Sequence, residues 1–531
     1  MEVQLCQTCQ QRFSQEPCDF MQLAKRYSEK QETSPVSTPS ASVSSDKSAN
    51  GQAEKSKTSS GICGVCIGLL FPSFLNNIAS HVAEKLTSEG YEVGKDDGFS
   101  LNFSLPQSSM IREICFSKMS QDMGRTSYSS NAQLTLRDAF KILLVKSIES
   151  HCQLKQQGQK GDFVVTVDVK NAANDQKTAE VLQLQFGEKF SNGLPSERKR
   201  KKSEEQETAS TSQSSSSLSK WIVESFRHRA TSKEARILWD NLSNLPISTP
   251  TFSVSLERNA LHLAGRYCKY SRALPHSPFF VENGERVGHS SVEELLCKPL
   301  MELFKASGYK FMSGGREDVD VRMLGDGRPF LVSLLNPRRI LQDEQELRNY
   351  ESSLRGRDVL ARFMTVVQGA DASSLLKEAE EEKTKTYTAM CHSPVPVAER
   401  ILEKIALLGK KHVSVAQRTP VRVLHRRNLA VREREILAMK TLRIDENSFF
   451  LRLTTQAGTY VKEFVHGDFG RTEPSLRSLT GLCDLDILEL DVEEVHMQWP
   501  PSQEQIMALQ KKKMEQKKKR KRSESGSSGC D

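Results

Sequence analysis

The sequence predicts an α+β protein: a catalytic-sized domain on a mixed, largely antiparallel sheet, preceded by a smaller α/β domain. Three observations predict it. Apolar residues alternate at period two in short runs along both halves, as half-buried strands require. Between those runs apolar residues recur three and four apart, the spacing of one buried helical face. Two segments poor in large apolar residues, 33–60 and 195–219, have the composition of disordered inserts and mark off the pieces.

Residues 1–80 carry Cys6-Gln7-Thr8-Cys9 and Cys63-Gly64-Val65-Cys66. The chain opens without a secretory signal, so paired cysteines read as reduced thiols or metal ligands rather than disulfides. Two Cys-x-x-Cys pairs suit one tetrahedral zinc, each pair spanning an edge of the coordination shell. The long spacer costs little, because loop-closure entropy grows only logarithmically. Unrelated thiol pairs or a redox pair are the alternatives. With all four places filled by cysteine, the metal is structural and not catalytic.

Residues 81–250 mix strand patterns (100–104, 162–169) with helical ones (78–86, 139–147), an α/β accessory domain. Its insert contains the basic cluster 198–202, which reads as an import signal or a solubilising linker. The formal net charge is +8, and residues 511–522 alone hold nine Lys or Arg against one Glu. The rest of the chain is therefore balanced. That excludes a uniformly basic nucleic-acid glove and leaves local patches plus a disordered basic tail, 506–531. The best apolar run, 67–75, is broken by Pro72 and falls short of a membrane span.

The domain 251–505 is continuous. Ser291-Val292-Glu293-Glu294 has capping-box spacing and opens a helix that contains Pro299. Gly314-Gly315-Arg316-Glu317-Asp318 then leads into alternation at Val319, Val321 and Met323, which places Asp318 at the mouth of a strand. Gly325-Asp326-Gly327 predicts a hairpin turn, with 330–335 returning as the second strand. Further strands are expected at 384–391, 419–424, 449–455 and 487–492. Tyr387 lies in the first of these, suited to base stacking or to ordinary core packing. Gly458-Thr459-Tyr460-Val461-Lys462 opens a short helix whose first turn projects Lys462 toward a carboxylate or toward solvent. Arg266-Tyr267-Cys268-Lys269-Tyr270-Ser271-Arg272 and the later His425, Arg426, Arg427, Arg432 and Arg434 interleave cations with rings, which suits RNA; snorkelling surface side chains explain them as cheaply.

In order, these stretches resemble a pseudouridine synthase: GREDVDVR with Asp318, KTYTA with Tyr387, TPVRVLHRR at 419–427, QAGTYVKEFVHGDFGRTEPS at 456–475, AGRYCKYSRALP at 264–275 and LDILELDV at 485–492. The likeness is to the tRNA pseudouridine synthase family shared by archaea and animals, which modifies T-loop uridines. It is strong over 252–500, extends to the N-terminal cysteine pairs, and is faint between them.

The resemblance implies a catalytic Asp318, as nucleophile or as the carboxylate that drives base detachment. It implies Tyr387 stacking on a flipped uracil, Lys462 holding Asp318 ionised, Tyr460 lining the pocket, and Arg316 positioning the aspartate or filling the vacated space. It also implies one structural zinc on Cys6, Cys9, Cys63 and Cys66, no organic cofactor, and a THUMP-type RNA-binding domain at 81–250. The expected partners are tRNA and other structured RNA, with no membrane; the expected state is a monomer of nucleus and cytoplasm. The competing expectation is an RNA-binding or processing factor that uses the same groove without turnover. Asn428, where the family usually has proline, Cys268 and Pro299 depart from the family pattern.

Overall fold

The structure is a computed structural model that describes residues 5–13, 62–122, 134–158, 161–190, 218–281, 284–425 and 427–525. The insert 33–60, the basic cluster 198–202 and most of the insert 195–219 lie outside the described residues. The chain divides into two compact units, Met1–Arg258 and Asn259–Asp531. No described helix is long and apolar enough to cross a membrane.

In the first unit β1 (Gly98–Ser104) lies between β2 (Lys155–Gln156) and β3 (Phe163–Lys170), parallel to both, and β4 (Thr251–Arg258) adds antiparallel to β3. Parallel neighbours need crossovers, and the helices Gln107–Asp122 and Leu136–Cys152 supply one between β1 and β3. Strand β3 alternates buried and half-exposed residues along its length, its inward set Phe163, Val165, Val167 and Val169 joining the core. The expected domain boundary at 251 shifts here: β4 pairs along its whole length with β3 and belongs to the first unit.

Besides a two-stranded pair, β6 (Phe279–Phe280) with β7 (Arg286–Val287), the second unit holds a ten-stranded sheet. Its strands are β5 (Leu261–Lys269), β8 (Gly308–Ser313), β9 (Arg322–Leu335), β10 (Val359–Val366), β11 (Lys385–His392), β12 (Val413–Arg418), β13 (Val431–Arg443), β14 (Ser448–Thr455), β15 (Thr472–Glu473) and β16 (Asp486–Val495). They run in the order β10-β5-β9-β16-β11-β14-β13-β12-β15, with β8 beside β9. Every pairing is antiparallel except β9 with β16. That parallel join sits mid-sheet and sets Met323 against Val492, which in turn faces Tyr387. The residues before β9 thereby reach the same end of the sheet as Tyr387.

Four expectations fail locally. Residues 325–335 form no hairpin: β9 is one strand, and Gly325 and Gly327 form a bulge opposite Tyr267 and Lys269. Both glycines have φ in the left-handed region (59° and 87°), and a β-carbon at Gly327 would lie 2.5 Å from the Tyr267 carbonyl. Residues 419–424 are no strand. Pro420 has no N–H for a ladder, and the Val421 N–H donates to Asp468 Oδ2 at 3.2 Å, so the chain turns as a 3₁₀ helix, Val421–Val423. The alternation at 319–321 belongs to a turn, closed by Val321 N–H on Asp318 O at 3.1 Å. The basic tail is helical over Gln503–Ser525; no Pro or Gly interrupts it, and Gln510 and Lys513 reach Asp371 at 2.8 and 2.9 Å.

The helix over Val292–Leu303 does start where Ser291 caps it, the hydroxyl accepting from Glu294 N–H. The Glu294 carboxylate does not return to the cap backbone as a capping box requires; it takes the Ser291 hydroxyl, Lys298 and Arg286.

Candidate active site

A cleft of about 820 Å³ opens in the second unit, lined by the 315–321 loop, Tyr387, Arg422, Tyr460 and Lys462. Its floor is built from buried charge. Glu317 and Arg328 are sealed from solvent and paired, Arg328 Nε donating to Glu317 Oε2 at 2.8 Å, while the Tyr267 hydroxyl donates to the same carboxylate at 3.0 Å. Burial works against a charged Glu317, but Arg328, Lys269 and the Tyr267 hydrogen bond together, with Arg328 the strongest of them, hold the carboxyl below its usual range. Arg328 also donates to Gly314 O at 3.0 Å, and Gly315 (φ 92°) turns the chain just above it.

Lys269 is fully buried, and its ammonium donates to the carbonyls of Leu274, Asp318 and Val319 at 3.0, 3.0 and 2.8 Å. Burial pulls its pKa down to about 8. These contacts fix the loop so that Glu317 points in and Asp318 points out into the cleft. The stretch 266–272 is therefore no RNA surface in its first half: Arg266, Tyr267 and Lys269 are buried supports, and Arg266 binds the carbonyls of Gly327, Val495 and Met497.

The Asp318 carboxylate has Arg422 Nη1 at 2.9 Å and Lys462 Nζ at 4.0 Å. Lys462, the expected partner, lies closer to Asp320 Oδ2, at 2.6 Å. Burial disfavours ionised Asp320, yet the hydrogen bond and charge of Lys462, joined by a backbone hydrogen bond and the charge of Lys269, carry it below the usual carboxylate range. Arg422 in turn rests on buried Glu463, Nε to Oε1 at 2.7 Å. Burial opposes its charge, and the hydrogen bond and charge of Glu463 together with the charge of Asp318 overcome that, raising the guanidinium.

Tyr460 precedes the helix Val461–His466; its N–H and C=O are both held by the Gln417 amide at 2.9 Å. Val461, Phe464 and Val465 pack inward, which leaves Lys462 on the cleft side. The β16 bulge opposite Thr386 and Tyr387 sets the register that turns Tyr387 to the cleft, and burial raises its phenol pKa. His276 lies against the same floor, its pKa pulled down to about 4 by burial, so it is neutral in the cell's pH range. Arg316 and Arg427 stand exposed on the cleft walls, and no hydrogen bond joins Arg316 to Asp318 among the described residues. Arg432 donates to the Thr419 hydroxyl at 3.4 Å and Arg434 to the Glu433 carbonyl at 2.8 Å; Arg426 lies outside the described residues.

Arg422, Glu463, Gln417, Lys269, Glu317 and Arg328 were missed as site residues. Arg422 sits inside the quoted 419–427 motif, and only its assignment to a strand hid it. Glu317, beside Asp318, offers no signal of its own burial.

In the first unit the sulfurs of Cys6, Cys9, Cys63 and Cys66 all lie within 4.8 Å of one another. The Cys6–Cys66 separation is 3.7 Å. Zinc–sulfur bonds of about 2.3 Å at tetrahedral angles set sulfurs about 3.8 Å apart, so the donor set fits a tetrahedral thiophilic cation. Hydrogen bonds with Cys6 are the largest influence on both Cys63 and Cys9, holding Cys63 well below and Cys9 well above the usual thiol range. Arg12, itself buried against Glu113, donates to Cys9 Sγ at 3.7 Å.

A family model for the C-terminal part of Pus10 matches residues 262–496, and one for the N-terminal part of eukaryotic Pus10 matches residues 63–212. The tRNA pseudouridine synthase Pus10 of Mus musculus is 37% identical over 448 residues, covering 83% of this chain and 80% of its own. That of Xenopus laevis is 35% identical over 445 residues, covering 83% and 81%. Among solved structures, the archaeal box H/ACA sRNP Nop10-Cbf5 complex aligns with a TM-score of 0.24 at 14% identity, over 44% of this chain and 47% of that one; a likeness so slight carries no argument.

Proposed function

The chain belongs to the Pus10 family of tRNA pseudouridine synthases, and we propose that it isomerises uridine to pseudouridine in the T-loop of tRNA, with Asp318 as the catalytic carboxylate. The observation that carries this is a carboxylate between two cations, Arg422 and Lys462, facing Tyr387 and Tyr460 across an 820 Å³ cleft. The uridine leaves its stack and enters the cleft, where Tyr387 stacks on the base and offsets the cost of unstacking. Asp318 drives cleavage of the N1–C1′ bond, either by attack or by stabilising the detached sugar. The uracil rotates, C5 bonds to C1′, and the C5 proton is lost while N1 gains one. Atoms and electrons balance without a co-substrate.

Arg422 aims Asp318, and Glu463 and Gln417 hold the elements that present Arg422 and Tyr460. Lys462 shares its charge between Asp320 and Asp318. Arg316 contacts the substrate backbone or fills the vacated stack. The four cysteines hold one structural Zn²⁺, residues 81–250 act as a THUMP-type RNA-binding domain, and the basic C-terminal segment tethers RNA or directs nuclear import. The protein acts as a monomer in nucleus and cytoplasm.

The test compares wild type with Asp318→Asn on a T-loop transcript, scoring pseudouridine and RNA affinity separately. The reading requires wild type to form pseudouridine and the variant to bind without forming it. Binding by both with isomerisation by neither would leave an RNA-processing factor in place of an enzyme.

A further inference from the structure

Phe469 is the most exposed large apolar side chain among the described residues, at 96%. A ring so placed adds no apolar burial to folding. Its backbone is also unfavourable: Asp468 and Phe469 have φ of 46° and 56°, two consecutive non-glycine residues in the left-handed region. The conformation is imposed by its surroundings. Gly470 N–H donates to Gly467 O and Arg471 N–H to Asp468 O, both at 3.0 Å. Asp468 Oδ2 accepts from Val421 N–H, and the Arg471 guanidinium donates to Thr419 O at 2.6 and 3.1 Å. Strain that persists because neighbours over-determine it, and that returns no packing, points to a task outside the fold.

The clamp shows where that task lies. Val421, which Asp468 holds, precedes Arg422, the residue on Asp318, and is itself about half exposed. The nearest arginines along the backbone are Arg471, two residues on, and Arg418, whose backbone N–H donates to Arg471 O at 2.8 Å. Asp468 is buried and paired with Arg471 at 3.7 Å, and Glu473 is the exposed carboxylate nearby. An exposed ring held in a fixed backbone, with Arg471 two residues along its own loop and that loop clamped to the turn that supplies Arg422, matches the flat face and phosphate of an unpaired nucleotide.

We propose that Phe469 is a stacking platform for an unpaired base of the bound RNA, outside the cleft that takes the reacting uridine. This rests on the tRNA reading above. The full-length protein and the variants F469A, F469Y and F469G are titrated against a fluorescein-labelled T-arm stem-loop transcript by anisotropy at one fixed salt concentration, and each is melted. F469A and F469G should raise Kd about tenfold, and F469Y should stay within about twofold of wild type. F469G should melt no lower than wild type, because glycine takes the left-handed φ without strain, so weakened binding cannot be lost folding.

Wild-type affinity in F469A, or F469Y as weak as F469A, overturns the proposal; so does F469A that binds RNA normally but loses a protein partner or self-association. The same transcript is assayed for pseudouridine with wild type. Binding without isomerisation sinks the synthase reading, while stacking is still judged on Kd alone.

Discussion

In the N-terminal unit four identical ligands reach one point from two short segments, each supplying sulfurs three residues apart. In the C-terminal unit the groups around Asp318 arrive from β5, β9, the 3₁₀ turn at 421–423 and the helix Val461–His466. The cysteine cluster is organised by local geometry that can hold a metal ion. The cleft is organised before any substrate arrives, by buried charges that must each find a partner: Glu317 on Arg328, Lys269 on three carbonyls, Glu463 on Arg422. A site that must present a carboxylate at its outer face, between Arg422 and Lys462, needs that preorganisation, because reorganising it during the reaction would raise the barrier. The lesson is that spacing suffices when a ligand assembles its own site, whereas a preorganised cleft depends on supports far away in sequence.

The largest expected effect breaks chemistry without architecture. Asp318→Asn should lower pseudouridine formation by at least about 10³-fold while leaving the fold and tRNA affinity nearly unchanged. Mass spectrometry of digested tRNA and a binding titration measure the two. Parallel loss of both would make Asp318 a structural residue and erase the contrast.

Next is the metal. In Cys63→Ser, zinc measured by plasma emission should fall from about one per chain to near zero, and the first unit should lose its melting transition while the second keeps its own. A wild-type protein without bound zinc would sink the metal assignment.

A sharper comparison sits inside the cleft. Arg422→Met should cost about 10- to 100-fold in kcat and more than Lys462→Met, because Arg422 is the nearer cation. It should also lower stability by about 1–3 kcal/mol, the upper range being tempered by partial exposure of Arg422, since buried Glu463 is left unpaired. Adding Glu463→Gln should recover the stability but not the turnover. If Lys462→Met proves the more damaging to kcat, Lys462 and not Arg422 is the operative partner of Asp318.

The smallest effect is pH-dependent. Lys269 has a folded pKa of about 8, below the roughly 10.4 of an unfolded lysine. Glu317, Asp320 and Asp318 hold its proton, while burial and Arg328 expel it. Between pH 8 and about 10.4 the unfolded chain binds the proton that the folded chain has released, so stability should rise with pH across that window. Over the same rise the ammonium loses a donor to the 318–319 carbonyls, and turnover should fall by up to about tenfold. Chemical denaturation and single-turnover rates at several pH values should thus move in opposite directions, and Lys269→Arg should flatten the rate profile. Activity and stability moving together would detach Lys269 from the catalytic loop.

Much of this was legible beforehand. Strands β1, β3, β11, β14 and β16 follow period-two runs, and the helix carrying Lys462 follows its glycine step, because local patterning there agrees with the final burial. The cysteine pairs were legible for the same local reason. The misreadings share a cause. Gly325-Asp326-Gly327 has turn chemistry, yet pairing with β5 and β16 holds the chain in one strand and turns the glycines into a bulge. Residues 266–272 look like a charged surface because sequence does not reveal that Lys269 finds three carbonyls in the interior.

By itself the sequence determined the fold class and each cysteine pair, which rest on residue type and spacing within a few positions, while Asp318 stood out through the order of motifs that carries the family resemblance. Only the tertiary structure decided which cation stands on Asp318, that Lys462 leans to Asp320, and that Phe469 stands strained and bare beside the Arg422 loop. Those are distances between elements brought together by the β9–β16 join and by the clamp of Asp468 on Val421. Hydrophobic periodicity carries no information about them, because it specifies which face is buried and not what the buried face will meet.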